Sequence, residues 1–232
     1  DNDVSFESRD SLIYKIQFDT LYVPGDSSYK IAYYHRLYEM VKVRLIEGAS
    51  NGYIQFRMSV HYQDYVVDSL AGNLIGAQKH LLKYYRLKYL IDSESQYYND
   101  SIDIKEIHKR MIYNSIYDEI NMNTFNFVNA AFDNLLFRYP TQNEFNNSYS
   151  MIEDKVPHTL FGFSGSNKED FVNLICNSRE FYEGMVHWSY LTLVARTPTT
   201  QETDFLMNDF YITGDFHKLQ RYIMKTDEYA HF

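Results

Sequence analysis

An all-α, multi-helix fold is what the sequence predicts, and three observations predict it. A helix-bend-helix segment occurs twice in the C-terminal half, apolar residues recur at helical spacing through most of the remainder, and helix-breaking residues are scarce. Gly 9 and Pro 4 stand against Tyr 23 and Phe 16 in 232 residues, a composition that fits packed helices rather than a disordered linker. With 45% hydrophobic residues the chain can bury a sizeable core, and one continuous domain is expected. Its parts are read as a tail and lead-in segment over 1–25, an N-terminal helical portion over 26–100 and a duplicated portion over 101–232. The repeats within the last span about 123–183 and 184–232.

Asp1 to Asp10 read as a polar tail. Ser11 to Val23 alternates roughly (Leu12, Tyr14, Ile16, Phe18), yet Leu12, Ile13, Ile16 and Tyr22 also make a helical stripe. No partner strand is evident, so helix is preferred and strand stays open. Pro24-Gly25-Asp26 is a turn, after which Ser27 or Ser28 can cap a helix. Ile31, Tyr34, Leu37, Tyr38, Val41 and Leu45 place that helix over Tyr29 to Glu47, and Gly48 ends it. Ser50-Asn51-Gly52 resets the chain. A helix over Tyr53 to Ser69 should turn Phe56, Val60, Tyr65 and Val67 inward, and another runs from Leu74 to Ile91, with the polar stretch Asp92 to Ser101 as its exit loop. Helices over Ile104 to Ile120 and Phe125 to Phe137 lead to the first joint.

The joint is Leu135-Leu136-Phe137-Arg138-Tyr139-Pro140-Thr141 with Glu144, and it returns as Leu193-Val194-Ala195-Arg196-Thr197-Pro198-Thr199 with Glu202. Proline holds the residue before it in extended geometry, so Tyr139 and Thr197 should leave the helix. Thr141 and Thr199 are then N-caps, and Glu144 and Glu202, three residues on, complete capping boxes. Arg138 and Arg196 can brace the bend by reaching the capping Glu or the last carbonyls of the helix. That role predicts a lower melting temperature for Arg196→Ala.

A second element follows each joint. Phe171 to Phe181 matches Leu219 to Tyr229, each a helix closed by hydroxyl-x-Glu-aromatic, with Ser178 answering Thr226. The joints lie 58 positions apart (Arg138 to Arg196) and the closing turns 48 (Ser178 to Thr226), so the first copy carries ten extra residues, placed around Val156 to Ser166. A weaker third echo sets Lys105-Glu106 and Ser115 against Lys168-Glu169 and Ser178, a constant offset of 63. A period near 50–60 with unequal loops reads as duplication inside one domain rather than a regular solenoid.

This pattern, from the aliphatic pair through Arg-x-Pro-Thr-x-x-Glu to the hydroxyl-x-Glu-aromatic turn, resembles the small helical units of bacterial envelope and secreted proteins. It is similar to the C-terminal domain that accompanies cytochrome-type modules in planctomycete proteins, to repeat domains of surface proteins and, more distantly, to phycobilisome linker domains. The resemblance covers about Asn123 to Phe232. It implies a helical docking or scaffold unit and transfers no catalytic residue. The chain departs from the cytochrome-type proteins in lacking Cys-x-x-Cys-His.

Chemistry is sparse elsewhere. A net charge of -9 argues against a general nucleic-acid surface, and the basic run Lys79 to Lys88 reads as the solvated face of a helix. No stretch approaches the roughly 18 apolar residues of a membrane span. The polar start Asp1-Asn2-Asp3 would suit a mature lipoprotein held to the membrane only by an N-terminal lipid anchor. Cys176 reads as a buried, inert thiol. The histidines (His35, His61, His80, His108, His158, His187, His217, His231) show no His-x-x-x-His pair, so no zinc site is assigned. Asp1, Asp3 and Ser5 begin like a calcium loop but lack its Gly and closing Glu.

Phe161-Gly162-Phe163-Ser164-Gly165-Ser166 lacks the glycine spacing of a nucleophile elbow and reads as an inserted loop whose Ser166 caps the next helix through Glu169. Its Leu160, Phe161 and Phe163 are candidate partner contacts. Tyr33-Tyr34, Tyr84-Tyr85 and Tyr97-Tyr98 put neighbouring rings on different faces, so some must point outward or line a groove. The expectation is a non-enzymatic interaction or assembly subunit of a bacterial envelope complex, binding a protein partner without catalytic residues, cofactor or metal. A carbohydrate-binding surface lipoprotein using tyrosines is the first alternative, and an enzyme of unfamiliar type the second.

Overall fold

The computed structural model describes residues 8–22 and 27–231, and among them thirteen helices and one short hairpin form an all-α chain. In order these are α1 (Arg9–Phe18), α2 (Tyr29–Ile46), α3 (Asn51–Leu70), α4 (Leu74–Tyr98), α5 (Ile104–Ile112), α6 (Ser115–Asn121), α7 (Thr124–Leu136) and α8 (Gln142–Glu153). The strands β1 (His158–Leu160) and β2 (Phe163–Gly165) precede α9 (Lys168–Asn177), α10 (Arg179–Val194), α11 (Thr200–Thr213), α12 (Phe216–Met224) and α13 (Asp227–Ala230). Two compact units divide the chain: Asp1–Leu37 with Leu135–Phe137 and Ser178–Phe232, and Tyr38–Asn134 with Arg138–Asn177. This division runs through α2 and the end of α7. The expected turn at Pro24-Gly25-Asp26, most of the tail and the calcium-like start lie outside the described residues.

In the unit holding Tyr38 to Asn134, α3 and α4 pair as a long helical hairpin. Ile54 and His61 form the buried stripe of α3, whereas Phe56 and Val67, expected inward, face solvent. Apolar residues lie all round this helix, so their period does not select a face. The expected exit loop from Asp92 is likewise corrected, because α4 continues to Tyr98. Lys88 Nζ pairs with Asp92 at 2.6 Å one turn on, and the Ser93 hydroxyl donates back to the Tyr89 carbonyl at 2.7 Å. Ser93 and Tyr97 are buried, so the polar stretch is one face of a half-buried helix.

The helix expected over Ile104 to Ile120 is broken at Tyr113. Asn114 caps α6, accepting from Ile116 N at 2.9 Å and Tyr117 N at 3.1 Å while donating to Arg110 O and Met111 O. This break is the third echo in structural form, though its register is 64 rather than 63: caps Asp103 and Asn114 answer Asn167 and Ser178. The buried positions agree in that register, Ile107, His108, Met111 and Ile112 against Phe171, Val172, Ile175 and Cys176. The last copy continues the rule 48 positions on, with Leu219, Gln220, Ile223 and Met224 after cap Asp215. Ser178 and Thr226 do not merely close helices. Each is the N-cap of the next, accepting from Phe181 N at 3.1 Å and Tyr229 N at 3.3 Å.

Cys176 is buried in this frame, and burial pushes its thiol up to about 12, so almost no thiolate exists at neutral pH. A thiol reagent should leave the native protein unlabelled and react once urea unfolds it; labelling at the rate of a free thiol in native buffer would contradict this placement.

The other unit begins with α1 on its Ser8 cap, with Ile13 and Gln17 buried, which closes the strand alternative for this segment. A polar knot joins α1, α2 and α12. His217 Nε2 lies 2.9 Å from the Tyr34 hydroxyl and its Nδ1 3.2 Å from that of Tyr33, which donates to Gln220 Oε1. Gln17 Nε2 donates to the His217 carbonyl at 2.9 Å. Around α10, Phe181, Met185, Phe210 and Phe216 complete the core, and Trp188 stacks on Phe216 at 5.9 Å and 12°.

Candidate functional site

Both joints form as one construction. Each helix ends earlier than proline alone predicts, since Phe137 and Ala195 adopt φ of 56° and 50° and turn the chain three positions ahead of Pro140 and Pro198. A left-handed step costs a non-glycine residue about 1–2 kcal/mol, so surrounding contacts must hold it. Arg138 supplies them, donating from two nitrogens to Glu144 at 2.6 and 2.9 Å and to the Tyr139 carbonyl at 3.1 Å. Arg196 repeats this on Glu202 at 2.6 and 2.9 Å and on the Thr197 carbonyl at 3.0 Å. Thr141 and Thr199 close complete capping boxes. Each guanidinium also lies over an aromatic face six residues earlier, Phe132 at 5.2 Å and Tyr190 at 4.8 Å. Arg196 adds Glu228 at 2.6 and 2.8 Å, which links the cap of α11 to the start of α13. These residues lock bends.

Hydrogen bonds from Arg138 and Arg196 hold Glu144 and Glu202 down to about 2 each, from an ordinary 4.5. Their stabilising contribution is therefore complete above pH 4.5 and is lost as pH falls toward 2. His108 is buried and held neutral, its pKa pushed down by burial to about 3 from 6.5, so unfolding gains a proton below pH 6.5. Urea midpoints should fall from pH 6.5 downward and more steeply below 4.5. Glu144→Gln with Glu202→Gln should flatten the lower limb; an unchanged limb would contradict the assignment.

The insertion is a β-hairpin with Leu160 opposite Phe163, turned by Phe161 and Gly162 at φ 52° and 84°, the two-residue turn that suits strand twist. Leu160 is 2% exposed and belongs to the core, Phe161 is half-buried against Phe132 at 6.0 Å, and Phe163, 69% exposed, points out. The cap of α9 is also one residue later than expected: Asn167 accepts from Asp170 N at 3.0 Å, and Asp170 receives the Ser166 N–H at 2.8 Å. Glu169 instead accepts from the Tyr113 hydroxyl at 3.3 Å.

What the residues bring together lies on the α3–α4 hairpin. At its closed end Val67, Leu70, Leu74 and Ile75 are 65, 85, 73 and 72% exposed. Along its length Tyr62, Tyr84, Tyr85 and Tyr89 succeed one another with ring centroids 5.3–6.3 Å apart. Tyr85 and Tyr89 are tilted by only 26° and border a cleft of about 410 Å³ that Arg86, Glu106, Arg110, Tyr113 and Glu169 also line. The charges there are largely spent on one another. Arg110 donates to Glu106 at 2.8 Å and Gln96 at 2.6 Å, and Arg86 lies 3.7 Å over the Tyr113 ring and bonds its hydroxyl.

A third feature sits inside the hairpin. His61, Asp64 and His80 each place one donor atom within 4.8 Å of the others. His61 is buried, which lowers its pKa to about 4, with Lys83 and Arg57 adding to the shift. Sequence reasoning looked for two histidines on one helix, and here they come from two. His61-x-x-Asp64 on a helix that turns back at Gly72 was the available signal. Among the described residues no helix is long and apolar enough to cross a membrane. Comparison with protein-family models, curated proteins and solved structures gives no match to the chain.

Proposed function

We propose that this chain is a non-enzymatic helical interaction subunit that binds a protein partner through the closed end of the α3–α4 hairpin. The observation that carries the reading is the apolar end itself, where Val67, Leu70, Leu74 and Ile75 meet water together. Soluble proteins seldom leave contiguous apolar patches of this kind except where something covers them. Tyr62 and Leu82 are also exposed on the hairpin and carry side chains suited to an interface core. The two locked joints fit a scaffold role, because they hold helices at set angles. Assignment to a bacterial envelope complex rests on the resemblance of those joints alone.

The test is a photo-crosslinking residue at Leu70, compared with one at exposed Ile212. A single stoichiometric adduct from Leu70 alone supports the reading, and equal labelling from both positions opposes it.

The tyrosine cleft favours a second reading, a glycan site. Near-parallel exposed rings at Tyr85 and Tyr89, with Arg86 and Glu169 beside them, can stack on and hydrogen-bond a sugar. Calorimetry with oligosaccharides should then give heat that Tyr85→Ala abolishes.

A further inference from the structure

We propose that His61, Asp64 and His80 form a binding site for a divalent first-row metal ion, Zn²⁺ in the first place, which clamps α3 to α4. The donor set is two imidazoles and one carboxylate, the set that zinc and its neighbours accept with a further position left for water or another donor. His61 and Asp64 are three apart on α3 and so share a face, while His80 comes from α4 opposite. Donor atoms within 4.8 Å need to close to about 3.3 Å around an ion roughly 2 Å from each, a movement within reach of the half-exposed Asp64 side chain.

The outer partners point the same way. His61 Nε2 lies 2.9 Å from the buried Ser115 Oγ, so the nitrogen left for an ion is Nδ1, which is buried and makes no hydrogen bond. A 4% exposed imidazole with one empty nitrogen beside a carboxylate and a second imidazole lacks a partner that a metal would supply. At His80 the division is looser, with the far nitrogen near a carboxylate but beyond hydrogen-bond distance. Its Nε2 faces Asp68 Oδ2 at 3.7 Å, and its Nδ1, 3.4 Å from Asp64 Oδ2, is buried without a hydrogen bond. An oxygen on the far nitrogen is what orients a ligating histidine. Of the two cations that face His61, Lys83 and Arg57, the second is paired with Glu119. The inference is independent of the partner surface proposed above.

The experiment titrates the metal-free full chain with Co²⁺, reads the visible absorption of low-symmetry coordination, and then displaces the ion with Zn²⁺. One equivalent is expected to bind, and Zn²⁺ should raise the melting temperature by mass action. His80→Gln, which changes a partly exposed side chain, should abolish both signals while keeping the helical circular dichroism. Ser115→Ala should weaken binding by about 10–100-fold, the usual effect of losing an outer partner. Absence of a Co²⁺ spectrum at micromolar protein, or equal affinity in His80→Gln, would overturn the site.

Discussion

Gly184→Ala should cost this protein about 2–3 kcal/mol of stability, although alanine is the better helix former by roughly 1 kcal/mol. Gly184 lies buried in the middle of α10, where a Cβ would fall inside the contact radius of the Leu135 carbonyl oxygen and 3.1 Å from its carbon. The obstacle is backbone, so no rotamer change relieves it and the two segments must separate. Leu135 to Phe137 include the left-handed step that starts the first joint, and separation would disturb that turn as well. Sign carries the information here. Urea unfolding of Gly184→Ala should show a lowered midpoint, whereas equal or greater stability would mean that α10 does not pack this closely on the end of α7.

Phe132→Ala is expected to cost more, about 3–5 kcal/mol, the usual range for deleting a buried ring. Phe132 is fully buried, touches Phe161 and Phe171 at 6.0 and 6.4 Å, and carries the Arg138 guanidinium on its face. Its truncation therefore removes core volume and one side of the lock on the joint. A double-mutant cycle with Arg138→Met separates these effects, since the cation–ring part should appear as a coupling of about 0.5–2 kcal/mol. Tyr190 with Arg196 should couple similarly. A loss below about 1 kcal/mol for Phe132→Ala would show that the ring is not in the core.

How much of this was legible in the sequence depends on what kind of signal each element left. The capping boxes at Thr141 and Thr199 were readable because a local hydrogen-bond pattern needs particular residues at a set spacing. The aromatic under each arginine was present at the same offset of 58, Phe132 to Tyr190, but cation–ring contact leaves no local pattern to search for. Helix ends governed by left-handed non-glycine residues, Phe137 and Ala195, gave no compositional warning. The continuation of α4 past Asp92 was hidden by polarity, which reports exposure and not backbone conformation. The break at Asn114 was within reach, since the third echo aligns it with the cap at Ser178, but a register of 63 moved the match one residue off. The histidine cluster required the pairing of two helices, a tertiary fact that no window along the chain contains.

The exposed end of the α3–α4 hairpin is the part of the molecule on which the binding proposal stands. The most direct measurement is affinity purification of the tagged chain from its own cells, quantified against a variant carrying Val67→Ser, Leu70→Ser, Leu74→Ser and Ile75→Ser. These positions are solvent-facing, so the variant should melt with the wild type. A stoichiometric protein retained by the wild-type chain and lost from the variant is the predicted result. Equal retention by both, or recovery of the chain alone, would contradict it.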